Sequence, residues 1–443
     1  MPEATVEENG DLDTGEHHVR RSSDGRFRTD GHAIAQPQSV HRPAEGQFGF
    51  GVPPLVGLHA LPYTGTGGTG RPGSAHEHTV LRGRTGEHTI GFREREAGAR
   101  FVEEESTSVR FRSLDVYAGA GGQALGLERA GFDPVMLIDD DAHACATLQV
   151  NRPNWDVRRT DLLEFVGSDH PQVLDVDLLA AGPPRMRFSR AGKRNRPESE
   201  DRDTWKAVVW LALEVSPRAL LMENVPHLVR EEAFAEVRAF TEEELERAGY
   251  RCSWRVLDAR YFGVPQCREH GVLVALKDDG MERFSWPEPG SDAPVLGDVL
   301  YPSMASRGWP QADEWAAGAN EVAPTIVGGA TGRGGADLGP SGSKRKWARL
   351  GVNGGSIGDE PPGPDFVMVR PEDPGDAQAR KALPKLTTDQ VKVLQGFPQD
   401  WRLEGGKTSG YRQVGHALPP PLACALGERI AIALEKPETD RHS

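Results

Sequence analysis

An α/β fold built around a doubly wound parallel sheet is predicted by the sequence from Ser113 onward. Short apolar segments alternate there with amphipathic segments of helical period, and this order is typical of parallel strands joined by crossover helices. A glycine-rich turn, Ala118–Gly122, directly follows the first apolar segment. Acidic residues end the second segment and follow the third, at Asp139 and Asp161. Because such sheets bind ligands at the carboxyl ends of their strands, we expect a binding site there.

The predicted elements follow one another in regular order up to Tyr250. The pairs of strand and helix are LDVYAG with GLERAG, PVMLID with AHACATLQVN, DLLAAG with TWKAVVWLALEV, and ALLMENV with an acidic helix. WRVLDA and GVLVALK add two more strands. Near the C-terminus, LTTDQVKVLQGF and PPPLACALGERIAIALEK have helical patterns, and the apolar face of the last one predicts that it packs on the first domain.

The composition changes along the chain divide it into four parts. Residues 1–105 show no sustained period and are expected to be a disordered extension. Residues 112–286 carry the alternating pattern of the predicted sheet. Residues 287–384 are rich in Gly and Pro, which predicts a small, loop-rich second domain. Residues 385–436 return to helical patterns and are expected to pack back on the first domain.

Charge and cysteine usage limit the classes of function. A formal net charge of −14 is unusual for a nucleic-acid-binding protein, but basic residues cluster within 185–196 and 344–349. A local basic groove on an acidic protein is therefore compatible with the sequence, although a charged run is more often a solvated face. The four cysteines are scattered without C-x-x-C spacing, so we expect free thiols and no metal site.

The sequence indicates a protein of the cytoplasm. The N-terminal segment MPEATVEENGDLD lacks the basic stretch and the apolar core of a secretory signal. No uninterrupted apolar run approaches the roughly 20 residues that cross a bilayer, so no membrane partner is expected.

Seven segments, taken in order, resemble the successive motifs of the DNA cytosine-5 methyltransferase family. They are DVYAGAGGQALGLERAGF, IDDDAHACATLQVNRP, DLLAAGPP, LLMENV, FGVPQCREH, LTTDQVKVLQGFP and YRQVGHALPPPLA. The resemblance extends from Ser113 to about Glu435. It implies a Rossmann-like methyltransferase domain that binds S-adenosyl-L-methionine, a second domain that recognises the target, and double-stranded DNA as partner. A cognate restriction endonuclease would be a further partner if the chain belongs to a restriction–modification system.

The resemblance also implies the residues of the site. Those that would line the S-adenosylmethionine pocket are Tyr117, Gly119, Gly121, Gly122, Asp139, Asp161, Pro183 and His416, the last in place of the family's asparagine. Gln266 and Arg268 would lie beside the target base, and His270 stands where the family has a second arginine. Glu223 and Asn224 match the motif whose glutamate holds N3 of cytosine. A structural alternative for Glu223 is a carboxylate that accepts from backbone donors at a helix start.

The position of the family's nucleophile is occupied by Arg185. Cytosine C5 becomes reactive when a cysteine thiolate adds to C6, and the family pattern places that cysteine after a proline. This chain reads Gly182-Pro183-Pro184-Arg185, and a guanidinium stays protonated and cannot add to C6. We expect Arg185 to pair with Glu223 and keep it ionised. Cys267 is expected to face away from Gln266 and Arg268, and Cys145 and Cys424 to be buried structural residues.

Three functions are compatible with these residues. The first is methyl transfer to C5 of cytosine in DNA, which the order of the motifs favours. The second is a relative without catalytic activity that binds DNA, cofactor or both, which Arg185 favours. The third is methylation of an exocyclic nitrogen, which needs no thiolate but expects an Asn-Pro-Pro-aromatic or acidic loop where this chain has Gly-Pro-Pro-Arg.

Overall fold

A seven-stranded sheet organises the first domain of the computed structural model, which describes residues 110–186, 198–290, 293–328 and 335–435. The predicted extension of residues 1–105 lies outside the described residues. The strands are β1 Phe111–Val116, β2 Phe132–Asp139, β3 Val157–Arg159, β4 Leu178–Ala181, β5 Ala219–Asn224, β6 Tyr250–Asp258 and β7 Glu269–Lys277. The helices are α1 Gly122–Arg129, α2 Ala142–Asn151, α3 Glu198–Val215, α4 His227–Arg230, α5 Ala235–Arg247, α6 Gly280–Arg283, α7 Leu296–Ala305, α8 Ala312–Gly318, α9 Ser341–Arg349, α10 Thr388–Leu394, α11 Lys407–His416 and α12 Pro420–Leu434.

The strand order is β3-β2-β1-β4-β5-β7-β6, and five of the strands are parallel. The strands predicted to be parallel, β1, β2, β4 and β5, are parallel, whereas β7, whose direction the sequence left open, runs antiparallel to both β5 and β6. Only the short segment 259–268 separates β6 from β7, and a parallel connection needs a crossover of a dozen or more residues. The sheet is therefore mixed, as α/β sheets with an antiparallel edge often are.

Helices cover both faces of this sheet. Along β5, Leu220 and Met222 belong to one core with Trp205 of α3, whereas Leu221 lies in the opposite core with Leu426 of α12. Alternation of this kind follows from the two-residue period of a strand, and it buries both faces. The α/β fold and the packing of α12 on the first domain agree with the sequence.

The second domain has a core of its own, which extends beyond the predicted boundary at residue 384. Its buried residues come from α7, α8 and α9, and also from α10 and α11 through Val391, Leu394, Tyr411 and Val414. The predicted assignment of all of residues 385–436 to the first domain is thus wrong for α10 and α11. Residues 287–384 are rich in loops, as expected: among the described residues of this range there are three α-helices, α7, α8 and α9, joined by long segments, and no strand.

The chain returns to the first domain twice after α9. Between α10 and α11, Phe397 and Trp401 pack against Ala120 and Leu125 of the first domain. The chain then forms α12, which completes the core on the face of the sheet that carries Leu221. The helical stretch Lys407–Leu434 has the length and hydropathy of a membrane-crossing helix. Residues 417–419 interrupt it, however, and the buried apolar face of α12 accounts for its composition.

Candidate active site at the carboxyl edge of the sheet

The turn after β1 has a backbone that favours glycine. Tyr117, Gly119 and Gly121 have φ angles of 56°, 55° and 82°, in the left-handed region. A Cβ on Gly119 would meet no atom within 4 Å, whereas one on Gly121 would lie 2.6 Å from Leu148 Cδ2. A Cβ on Gly122 would come within 2.3 Å of the Leu418 carbonyl oxygen. Only Gly119 therefore leaves open space for a ligand, while Gly121 and Gly122 permit close packing of the protein itself.

The carboxylate at the end of β2 lies against this turn. Asp139 is buried, and its Oδ2 accepts a hydrogen bond of 2.8 Å from the Gly119 amide while Oδ1 accepts one of 2.9 Å from Asp141. Burial raises the pKa of Asp139 to about 6, although both backbone donors oppose this rise. Asp161 is exposed, and its Oδ1 accepts from the Leu163 amide at 2.9 Å. Each carboxylate oxygen can accept a second bond, so both residues retain capacity for ligand hydroxyl or amino groups.

Sequence reasoning missed the buried polar pair beneath the turn. Asp115 Oδ1 accepts from Gln123 Nε2 at 3.2 Å, while Asp115 Oδ2 and Gln123 Oε1 have no hydrogen-bond partner among the described residues. Burial raises the pKa of Asp115 to about 8, so the carboxyl group holds a proton at neutral pH. The sequence did contain a signal for this pair, because Asp115 is an acidic residue between the apolar residues Leu114 and Val116 of a predicted buried strand.

Asn224 fixes the loop that carries Arg185. Its Nδ2 donates to the carbonyl oxygens of Pro183 and Pro184 at 3.2 and 3.3 Å, and its Oδ1 accepts from the amide of Met186 at 2.9 Å. Pro183 is buried, and Arg185 is half-buried. Asn224 therefore holds the backbone on both sides of position 185, next to Glu223 at the end of β5.

The direct partner of Glu223 is His270, and the expected pair with Arg185 is not formed. Glu223 Oε1 lies 2.6 Å from His270 Nδ1, and both side chains are buried, with 8% and 1% exposure. Burial tends to raise the pKa of Glu223, but the charges of His270, Arg185 and Arg268 outweigh it and lower that pKa. The expectation that Glu223 stays ionised agrees with this direction. Arg185 lowers the pKa of Glu223 through its charge alone, since the residue in contact with the carboxylate is His270 of β7.

Arg268 and Gln266 connect the two domains. Arg268 is buried and donates from Nη1 to the Ile326 carbonyl at 2.6 Å and from Nη2 to the Gly415 carbonyl at 2.8 Å. Burial is the main cause that lowers its pKa to about 9.

Gln266 is fully buried, and its side chain is hydrogen-bonded to other groups of the protein. Its Nε2 donates to Gln395 Oε1 at 2.7 Å, and its Oε1 accepts from the Ile326 amide at 2.7 Å. Both polar ends of Gln266 are thus engaged by the protein, which differs from the expected contact with a base.

His416 lies at the end of α11, where the second domain meets the first. A Cβ on Gly328 would come 1.9 Å from its Cδ2, and the next residue, Ala417, faces Gly122. His416 is exposed. Its contact with Gly328, and that of Ala417 with Gly122, place it between the second domain and the turn after β1.

None of the four thiols is activated. Cys267 is partly buried and its Sγ lies 3.9 Å from Arg260 Nη1, whereas the neighbouring Gln266 and Arg268 are buried. Burial raises the pKa of Cys267, and it raises the pKa of Cys145 and Cys424 to about 11 and of Cys252 to about 12. Cys145 is buried as expected, but Cys424 is only partly buried.

A groove of about 650 Å³ opens beside Cys267. It is lined on the side of the second domain by Thr325 and by the exposed cations Lys346 and Arg349 of α9. Within the segment 266–270, Cys267 lines this groove and His270 contacts Glu223. In the part of the chain that the structure describes, no cluster of three or more His, Cys, Asp or Glu residues could hold a metal ion.

Comparisons with known proteins agree on one family. Residues 111–431 match the family model described as C-5 cytosine-specific DNA methylase. The chain is 44% identical over 322 residues to the type II methyltransferase M.NaeI of Lentzea aerocolonigenes, which covers 72% of this chain and 75% of the relative. It is 38% identical over 334 residues to the type II methyltransferase M.NgoMIV of Neisseria gonorrhoeae, which covers 74% and 99%. The solved structure of the methyltransferase EhMeth of Entamoeba histolytica has a TM-score of 0.50 at 13% identity, over 74% of this chain and 100% of that one, a likeness of fold alone.

Proposed function

The chain belongs to the family of C-5 cytosine-specific DNA methylases, and we propose that it is the modification methyltransferase of a type II restriction–modification system. The family's reaction moves a methyl group from S-adenosyl-L-methionine to C5 of cytosine in DNA. The assignment to a type II system rests on the names of the relatives. It implies a cognate restriction endonuclease as partner in the cell and a location in the cytoplasm, where both would meet the DNA.

One observation carries the proposal: the residues that could hold the methyl donor and the target cytosine follow four neighbouring strands and lie at one edge of the sheet. β1, β2, β4 and β5 are parallel, so their carboxyl ends lie at the same edge. The turn of Gly119 follows β1, Asp139 ends β2, the loop of Arg185 follows β4, and Glu223 lies near the end of β5. A methyl donor bound at the ends of β1 and β2 would therefore lie next to a cytosine bound at the ends of β4 and β5, because β1 and β4 are neighbours in the sheet.

The residues at the ends of β1 and β2 fit S-adenosylmethionine. Gly119 leaves room where a side chain would intrude, and the buried carboxylate of Asp139 is suited to ribose hydroxyls. Asp161 is exposed and is suited to an exocyclic amino group, and Pro183 would bound the pocket beside the loop of Arg185. When bound, the sulfonium of this cofactor supplies an electrophilic methyl group.

Glu223 fits the N3 edge of a cytosine that has left the helix. A base must be flipped out of the stack before an enzyme can reach its atoms. His270 occupies Oε1 of Glu223, and no hydrogen bond from a described residue reaches Oε2. That oxygen is available to the base, while Asn224 keeps the neighbouring loop in place.

The groove beside Cys267 fits the DNA backbone. Exposed Lys346 and Arg349 provide positive charge on a protein whose formal net charge is −14. Phosphate contacts require such cations, and they supply affinity without reading the base sequence. Base contacts would come from the second domain between Thr325 and Trp347.

Arg185 favours a second candidate function, in which the protein binds cofactor and DNA without turnover. Addition to C6 needs a thiolate, and position 185 supplies a permanent cation. Raised pKa values keep the thiols of the chain protonated at neutral pH. The comparisons favour the methyltransferase, whereas this one residue favours the binding protein.

Transfer of tritium from labelled S-adenosylmethionine to mixed-sequence duplex DNA distinguishes the two candidates. The methyltransferase candidate predicts that the unaltered protein incorporates label, whereas the binding-only candidate predicts that it binds the cofactor and incorporates none, and that Arg185→Cys incorporates it. Arg185→Ser is the matched control, because it removes the guanidinium without supplying a thiol, and it should stay silent. Incorporation by the unaltered protein, or its covalent capture by DNA that contains 5-fluorocytosine, would contradict the binding-only candidate. Silence from both the unaltered protein and folded Arg185→Cys would contradict the methyltransferase.

A further inference from the structure

The side chain of His270 is buried and only half satisfied. Its Nδ1 lies 2.6 Å from Glu223 Oε1, but its Nε2 has no hydrogen-bond partner among the described residues. A buried polar atom left without a partner is unfavourable.

Three charged groups surround the imidazole. They are Glu223 on β5, Arg268 just before β7 and Arg185 on the loop after β4. Burial, aided by the two cations, lowers the pKa of His270, and the carboxylate of Glu223 opposes it. At neutral pH the pair therefore consists of an ionised Glu223 and a neutral His270, and it gains one proton as the pH falls.

We propose that Glu223 and His270 form one proton-holding unit, in which His270 positions Glu223 and carries the proton that N3 of the flipped cytosine takes up. This inference rests on the proposed function, since it assigns a role within the same pocket. The family's arginine at this position could hold the carboxylate but could not give up a proton.

The proton balance of this step is simple. The imidazolium of His270 passes its Nδ1 proton to the carboxylate of Glu223 at Oε1. The carboxyl group then rotates so that the protonated oxygen faces the base, and the same proton passes to N3. His270 ends neutral, Glu223 ends as a carboxylate, and the base ends with the proton and the positive charge. No bond between heavy atoms forms or breaks, and solvent restores the proton to His270 after release.

The first test is the pH profile of tritium transfer in the Arg185→Cys protein. The introduced thiol must ionise to react, so Arg185→Cys, Arg185→Cys/His270→Gln and Arg185→Cys/His270→Arg share a rate that rises with pH below the pKa of that thiol. Dividing the rate of Arg185→Cys by that of Arg185→Cys/His270→Gln removes this shared rise, and above the lowered pKa of His270 the ratio should fall about tenfold for each pH unit, because the protonated fraction falls by that factor. The ratio to Arg185→Cys/His270→Arg should fall in the same way, since an arginine stays charged throughout. A ratio that does not change with pH would overturn the inference.

The second test uses the unaltered chain and does not depend on methyl transfer. Nitrogen NMR of protein labelled at histidine would follow the titration of His270, identified among the 14 histidines by its absence in His270→Gln. Glu223→Gln should lower the pKa of His270 further, because it removes the opposing carboxylate. A titration of His270 that is unmoved by Glu223→Gln would overturn the inference. If Arg185→Cys transfers no methyl group, the proposed function fails, and this spectrum still decides whether the unit exists.

Discussion

His270 lies next to Glu223 because β7 runs against β5. In their register Asn224 pairs with Gly271, so the first residues of β7 come to the carboxyl edge of the sheet. A parallel strand would have brought its last residues there instead. The sequence identified both positions, but it could not show that they touch, since 46 residues separate them and the direction of β7 depends on the hairpin with β6. The expected pair of Glu223 with Arg185 was wrong for this reason.

Asp115 gives a prediction about stability and pH. Its pKa in the folded state is about 8, above the ordinary value of 3.8. The folded protein therefore binds this proton more tightly than the unfolded chain, and the resulting stability is present at low pH and is lost as the pH rises through about 8. Between pH 6 and pH 8 the free energy of unfolding should fall by up to about 1.4 kcal/mol per pH unit from this group.

Urea denaturation at pH 6, 7 and 8 measures that slope. Asp115→Asn keeps the shape and a neutral side chain, so it should flatten the decline and be relatively more stable at pH 8. Asp133→Asn, at an exposed residue of β2, is the control and should leave the slope unchanged. Equal slopes in unaltered protein and Asp115→Asn would contradict the buried, protonated carboxyl group.

Among the secondary-structure elements, those with strong periodicity were predictable and those fixed by distant contacts were not. β1, β2, β4 and β5 lie where their apolar segments indicated. β3 was missed because its three residues, Val-Arg-Arg, offer no apolar pattern and gain their pairing from β2. α10 and α11 were placed with the wrong core, since an amphipathic pattern says that one face is buried but not against what.

The contact between α1 and α12 gives a prediction at the level of elements. A Cβ on Gly126 would lie 2.4 Å from the Pro420 carbonyl oxygen and 2.5 Å from Ala423 Cβ. Gly126→Ala should push the helices apart and destabilise the protein by about 1–3 kcal/mol, even though alanine favours a helix. Gly342→Ala in α9 is the matched control, because a Cβ there meets nothing within 4 Å. Thermal unfolding of both variants tests this, and an unchanged melting temperature for Gly126→Ala would argue against the close packing.

At the scale of the whole molecule, an acidic protein must bind a polyanion through a local surface. The net charge of −14 alone predicted little affinity for DNA, whereas the basic cluster of residues 344–349 indicated where binding is possible. The structure places two of these cations, Lys346 and Arg349, on the groove beside Cys267. The sequence located the basic cluster but placed it in a loop, whereas these residues lie on α9. The groove depends on the packing of the second domain against segment 266–270.

The salt dependence of DNA binding tests this surface. Each phosphate contact contributes about 0.9 to the slope of log affinity against log salt concentration. Lys346→Gln/Arg349→Gln should therefore reduce the magnitude of that slope by about 2 for mixed-sequence duplex DNA. Arg247→Gln/Arg251→Gln removes two exposed cations of the first domain that pair with acidic residues, and should leave the slope as it was. Equal slopes for the two double variants would exclude the groove as the phosphate-binding surface.

The late position of α12 has a consequence for synthesis on the ribosome. The core on the face of the sheet that carries Leu221 includes Leu422, Leu426 and Ile430 of α12. These three residues are translated only after the entire second domain. A nascent chain that has emerged as far as Lys277 already contains all seven strands, yet one face of its sheet stays open to solvent. The first domain can therefore close only after α12 has been translated, rather than when the sheet is complete, and chaperones that shield apolar surface would act in that interval.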